Sequence, residues 1–100
     1  MNFIFADRDL LRLFTDDSGP AKVRIPPPVR ERFFAAMDDV LAAVDERDLR
    51  AIAGYHFEKV PSVCNGCYSL RLGKQFRLIV RIVSIENEPG LEIVDVLDYH

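Results

Sequence analysis

Between Gly66 and Val83 apolar residues recur at every second position on either side of a short break, a pattern few structures can accommodate. Tyr68, Leu70 and Leu72 share one parity, and Cys67, Ser69 and Arg71 the other. After a break, Phe76, Leu78, Val80 and Ile82 alternate with Arg77, Ile79, Arg81 and Val83. Successive side chains of a strand point to opposite faces, so this segment is expected to be an antiparallel hairpin with one apolar face. A two-residue loop at Gly73-Lys74 would set Leu70 against Arg77 and mix the faces. A three-residue loop at Gly73-Lys74-Gln75 sets Leu72 against Phe76 and Leu70 against Leu78. The buried pattern decides register, so the longer loop is expected. It sets Arg71 directly against Arg77, with Arg81 farther along the same face. Like charges opposed across a ladder destabilise it by up to ~1 kcal/mol. Three arrangements relieve the repulsion: a carboxylate between the arginines, for which Glu58 is the candidate; splaying into water; or a bound phosphate, whose oxygens suit the planar guanidinium fork.

The N-terminal half reads differently. Asn2 to Phe5 fits a short strand. Leu10, Leu11, Leu13 and Phe14 fall at helical spacing, with Asp7 or Asp9 placed to cap them. Thr15-Asp16-Asp17-Ser18-Gly19-Pro20 is a loop signal. Pro26-Pro27-Pro28 suits a helix's first turn, and the helix is expected from about Pro28 to Val44. Its stripe is Val29, Phe33, Ala36, Met37, Val40, Leu41 and Val44, all read as core. Asp45-Glu46-Arg47-Asp48 should end that helix in solvent. Leu49 to Ala53 can form one more turn before Gly54 breaks it. Strands are expected at about 55–60, 67–72, 76–84 and 91–98, with Asn87-Glu88-Pro89-Gly90 as the last turn. One hundred residues, 49% of them apolar, make a single domain with a core of its own. Helices followed by strands predict an α+β fold: two main N-terminal helices on one face of a mostly antiparallel sheet of four to five strands.

The net charge of −3 argues against a general nucleic-acid binder, but its distribution is uneven. Lys59, Arg71, Lys74, Arg77 and Arg81 occupy residues 59–85 with no acid among them, whereas residues 86–100 carry five acids and no Lys or Arg. Salt screens exposed charges beyond about 8–10 Å, so a local cationic strip can hold phosphate on an acidic protein. The last strand, Leu91 to Leu97, delivers Asp98, Tyr99 and His100. An acid, a phenol and an imidazole beside arginines suit phosphodiester chemistry, and His100, with an ordinary pKa of about 6.5, can give or take a proton. His56, between Tyr55 and Phe57, reads as structural. Cys64-Asn65-Gly66-Cys67 has no second pair or His pair for a metal and no βαβ context for redox work, so reduced structural thiols are expected. The chemistry requires neither metal nor cofactor. No basic leader and no apolar run of membrane length is present, and a cytoplasmic location is expected.

Several segments together resemble the HigB branch of the RelE/ParE superfamily of bacterial toxins. They are Leu10-Leu11-Arg12-Leu13-Phe14, Gly54-Tyr55, Gly66-Cys67-Tyr68-Ser69-Leu70-Arg71-Leu72, Lys74-Gln75-Phe76-Arg77-Leu78 and Val94-Asp95-Val96-Leu97-Asp98-Tyr99-His100. The resemblance implies a RelE-like fold and a ribosome-dependent endoribonuclease that cuts mRNA and is silenced by a helix-turn-helix, HigA-like antitoxin. Carried over by position, Arg77 matches the catalytic arginine, Asp98, Tyr99 and His100 match the catalytic tail, and Arg71 matches a basic residue near the phosphate. Lys74 and Arg81 extend that RNA-binding set. The chain departs from the pattern at Val60-Pro61-Ser62, where members commonly carry Leu-Lys-Gly, and at Glu58, where a functional histidine can stand. Lys59 is the candidate substitute for the absent lysine. The departures keep a non-nucleolytic, gyrase-type toxin and a catalytically degenerate antitoxin-binding module open as alternatives.

Overall fold

The computed structural model describes residues 1–98. The chain runs through β1 (Asn2–Phe5), α1 (Arg8–Asp16), α2 (Pro20–Arg24), α3 (Pro27–Ala42), α4 (Glu46–Arg50), a 3-10 turn (Ala53–Tyr55), β2 (Glu58–Lys59), β3 (Cys67–Arg71), β4 (Phe76–Ile85) and β5 (Glu88–Asp98). The strands form one sheet in the order β1-β5-β4-β3-β2; β1 lies parallel to β5 and the other neighbours are antiparallel.

The helices cover one face of this sheet. Asp7 caps α1 by accepting hydrogen bonds from the amides of Asp9 at 2.7 Å and Leu10 at 3.1 Å, and Leu10 and Leu13 then point into the core. Phe33, Ala36, Met37 and Val40 of α3 meet Leu70, Leu72, Leu78, Val80, Leu91, Ile93 and Val96 of the sheet in one buried cluster. The hairpin register is the one the alternation demands: Leu70 pairs with Leu78 and Arg71 with Arg77, and the amide of Leu72 donates to the carbonyl of Phe76 at 2.9 Å across the three-residue loop.

The structure corrects the sequence reading at five places, first at the strand expected over about 55–60, which is a 3-10 turn at Ala53–Tyr55 followed by the two-residue β2. Leu41 and Val44 are 55% and 77% exposed, not core. Leu41 is turned about 100° from Val40 at the margin of the stripe, and α3 stops at Ala42, so Val44 no longer follows the helical period. Pro20–Arg24 forms α2, and Asp45 caps α4 by accepting from the Arg47 amide at 2.9 Å. A five-residue helix is too short to carry a readable period. The last hairpin turns at Glu86-Asn87, both left-handed with φ of 52° and 65°, and Ile85 pairs with Glu88. That is a two-residue hairpin loop, which leaves Pro89 and Gly90 inside β5. Finally, Cys64 and Cys67 are joined in a disulfide rather than held as thiols. The turn between them closes with the Cys67 amide donating to the Cys64 carbonyl at 3.2 Å and brings their Cα atoms to 5.3 Å, within disulfide range.

The second sheet face is not bare. The loop after β2 folds back over it, and Val60, Cys67 and Ile79 form a small buried cluster with Val63, Cys64, Val94 and Leu97 packed against it. No helix of the described residues is long and apolar enough to cross a membrane.

Candidate active site

Arg77 is the central residue of this second face. It lies near the start of β4, directly opposite Arg71 on β3 and Leu97 on β5. Only 8% of it is exposed, on the sheet face that also carries the cluster of Val60, Cys67 and Ile79. Its guanidinium keeps a carboxylate: Nη1 of Arg77 donates to Oε1 of Glu58 at 3.3 Å. Glu58 reaches it from β2, where it pairs with Ser69 across the ladder. The carboxylate predicted between the arginines is therefore present, and it sides with Arg77. Its second oxygen, Oε2, lies 3.5 Å from Nε2 of His56. Arg77, Glu58 and His56 thus run as a chain from the interior toward solvent, with the side chain of Arg77 9% and that of His56 57% exposed. Ser69 is wholly buried on the same face, and its hydroxyl has no hydrogen-bond partner among the described residues.

The remaining expected site residues divide into three groups. Arg71 and Lys74 stand at the hairpin end of the sheet and line one cleft with Arg32 and Gly54. Arg81 sits four residues along β4 from Arg77, paired with Glu92 of β5, whose Oε1 accepts from its Nε at 2.7 Å. Lys59 pairs with Tyr68 on the edge strand, so its parity is opposite to that of Glu58 and Arg77. It lines a cavity of about 250 Å³ with Pro61, Asn65, Gly66, Cys67 and Tyr68 instead. The structure does not bring Lys59 onto the arginine face. Asp98 pairs with Phe76, one position from Arg77, and its Oδ2 accepts from Nε2 of Gln75 at 2.9 Å. Tyr99 and His100 lie outside the described residues; β5 ends with Asp98, at the end of the sheet that holds Arg71 and Arg77.

His56 is the residue sequence reasoning assigned a purely structural part. It follows the 3-10 turn in a left-handed conformation with φ of 48°, which swings it toward Glu58. No strand or helix period spans that turn, so only the two-residue spacing to Glu58 hinted at the pairing.

Among the described residues no group of three or more His, Cys, Asp or Glu side chains converges as a metal site. A buried arginine with an opposed arginine can hold a tetrahedral anion, and a carboxylate beside it can accept a proton.

Comparison with known proteins adds to this geometry. Residues 3–100 match the family described as the RelE-like toxin of the type II toxin-antitoxin system HigB. The chain is 31% identical over 96 residues to the toxin HigB-1 of Vibrio cholerae serotype O1, covering 96% of this chain and 94% of that one. Its fold is similar to that of a YoeB/ParE toxin from Agrobacterium tumefaciens, with a TM-score of 0.54, 13% identity and full coverage of both chains.

Proposed function

The chain belongs to the HigB family of RelE-like toxins of type II toxin-antitoxin systems, and from that premise we propose that it is a ribosome-dependent endoribonuclease that cleaves mRNA in the cytoplasm and stops translation. One observation carries the reading: Arg71 and Arg77 face each other across adjacent strands at the end of the sheet where β5 finishes with Asp98.

In this reading the phosphate to be cut sits against Arg77, with Arg71 opposite. A base takes the 2′-hydroxyl proton and the 2′-oxygen attacks the adjacent phosphorus. The bond to the 5′-oxygen breaks, and an acid protonates that leaving oxygen. The products are a 2′,3′-cyclic phosphate and a 5′-hydroxyl. Glu58, half-exposed beside Arg77, is the proton acceptor by position. His100 is the proton donor, and Tyr99 stacks on or orients a base, as aromatics do for unpaired RNA bases. Asp98 supplies the carboxylate of the Asp-Tyr-His ending. Arg77 stabilises the charge that develops on phosphorus. Lys74 extends the cationic surface along the RNA. Arg81, held by Glu92, and Lys59, at the sheet edge, would meet RNA only outside the scissile position. The partner is an antitoxin of the helix-turn-helix, HigA-like kind, which silences the toxin by covering the arginine face.

A second reading has support of its own. Pro61 stands where relatives commonly carry lysine, and Glu58 already neutralises Arg77. Both features suit a toxin that binds without cutting, of the gyrase-inhibiting kind, or a module kept only for antitoxin binding. One experiment separates the readings: purified protein is added to ribosomes programmed with mRNA. Cleavage that falls by about 10²–10³-fold in Arg77→Gln supports the nuclease. Intact mRNA with wild-type protein, or DNA damage on induction without mRNA cleavage, rejects it.

A further inference from the structure

Three cations converge beside the arginine pair, and one of them, Arg71, belongs to both sites. A cleft of about 470 Å³ is lined by Arg32, Gly54, Arg71, Gly73 and Lys74. Three of its five lining residues are positive, and the other two have no side chain. Arg32 comes from α3, Arg71 from the end of β3 and Lys74 from the hairpin loop, so the fold converges three like charges from three elements. Among the described residues none of the three is in an ion pair, whereas Arg24, Arg77 and Arg81 each hold a carboxylate. The nearest acid in the adjoining cavity is Asp39, and it already accepts from the hydroxyl of Tyr55.

Gly73 makes the convergence possible. Its φ of +109° is a conformation that glycine tolerates, and a Cβ there would stand 3.4 Å from Nη1 of Arg32. The bare backbone lets the guanidinium lie against the hairpin. Three unneutralised cations around a cavity repel one another unless an anion enters it. Arg71 also opposes Arg77 across the ladder, so the cleft is continuous with the proposed phosphate site through one shared arginine.

We propose that Arg32, Arg71 and Lys74 form a second phosphate subsite, which takes a neighbouring backbone phosphate of the RNA strand being cut. The proposal rests on the nuclease reading for the identity of that strand. The chemistry it requires, an RNA phosphodiester, is also offered by ribosomal RNA, so the test has two arms. The first uses a short single-stranded RNA, made uncleavable by a 2′-O-methyl group at the cut position, and measures affinity against salt. The second uses empty ribosomes. Arg32→Gln and the double variant Arg32→Gln/Lys74→Gln are compared with wild type. Both keep Glu58 and Arg77 intact.

Removing one charge-assisted hydrogen bond to phosphate should weaken oligonucleotide binding roughly tenfold at low salt. The slope of log affinity against log salt should flatten by about 0.7 for each phosphate no longer neutralised. On programmed ribosomes, KM should rise while kcat holds within about twofold, the split expected when binding rather than chemistry is removed. An unchanged affinity and slope in the double variant overturns the subsite, as does a wild-type protein with no affinity for the oligonucleotide. A loss confined to empty ribosomes assigns the cleft to ribosomal RNA and overturns its assignment to the substrate strand. Wild-type protein that binds the oligonucleotide through these residues yet leaves mRNA intact sustains the subsite and sinks the nuclease reading alone.

Discussion

Glu58 invites two readings whose consequences have opposite signs. If it accepts the 2′-hydroxyl proton, Glu58→Gln removes the base and cleavage on ribosomes falls by roughly 10²–10⁴-fold. If it only occupies the fork of Arg77, the same change frees a cation for phosphate, and RNA binding and cleavage both rise. The amide keeps the size and can still accept from Arg77 at the 3.3 Å now seen, so the comparison is one of charge. A rate that rises sinks the base assignment. The residue was legible because strand alternation forces Arg71 against Arg77 and something must sit between. Its link to His56 was not, since a left-handed residue after a 3-10 turn obeys no period. Tyr55, one residue earlier, is also set by local contacts. Burial, and then its hydrogen bond to Asp39, pushes its phenol well above the ordinary range. Such a group binds its proton more tightly in the native chain than in the unfolded one. Its contribution to stability is therefore complete below about pH 10 and is lost as pH rises beyond that. The melting-temperature advantage of wild type over Tyr55→Phe should be constant at neutral pH and shrink above about pH 10. A gap that stays level through that range would remove the linkage.

At the scale of elements, the long periodic segments were legible and the short ones were not. The stripe of α3 and the alternation of β3 and β4 each repeat often enough to fix a face, and both faces met in one core. α2 and α4, at five residues each, offer a single turn, and only capping chemistry marks them. The loop from Val60 to Cys67 was misread for another reason. A cysteine pair spaced by two residues does not say whether its turn brings the sulfurs together. The fold decides that by closing the turn and burying Cys67 beneath Val60 and beside Ile79. The bond joins residues only three apart in sequence, so it removes little chain entropy from the unfolded state, at most about 2 kcal/mol. Cys64→Ser/Cys67→Ser should melt a few degrees lower than oxidised wild type and match wild type in strong reductant. Equal melting of all three samples would mean that the bond contributes nothing to this loop. Because the loop covers the sheet face that carries Arg77, the same comparison repeated with ribosomal cleavage reads whether its anchoring matters for the site.

Across the whole molecule, a charge pattern that looks segregated along the chain is partly neutralised by the sheet. The cations of residues 59–85 have no acid in their own segment, yet Glu58 reaches Arg77 and Glu92 reaches Arg81, while Asp95 serves Arg24 of α2. The sequence could announce a cationic strip but not which members stay available, because that depends on which strands become neighbours. What remains is Lys59 at the sheet edge and, at the hairpin end, Arg71 and Lys74, joined there by Arg32 from a helix whose residue pattern offered no reason to single it out. The same architecture separates stability from the proposed chemistry. The main core lies between helices and sheet, drawing on residues from Leu10 to Val96, and the proposed catalytic tail follows Asp98 in sequence. Deleting His100 leaves every described member of that core in place, and the melting temperature should move by no more than about 2–4 °C, the equivalent of well under 1 kcal/mol. Loss of its proton transfer should lower cleavage by roughly 10²–10⁴-fold. Antitoxin binding should persist, since the arginine face is untouched. A deletion variant that melts like wild type and still cuts mRNA at the wild-type rate would strike His100 from the mechanism and leave Glu58 and Arg77 to account for the chemistry alone.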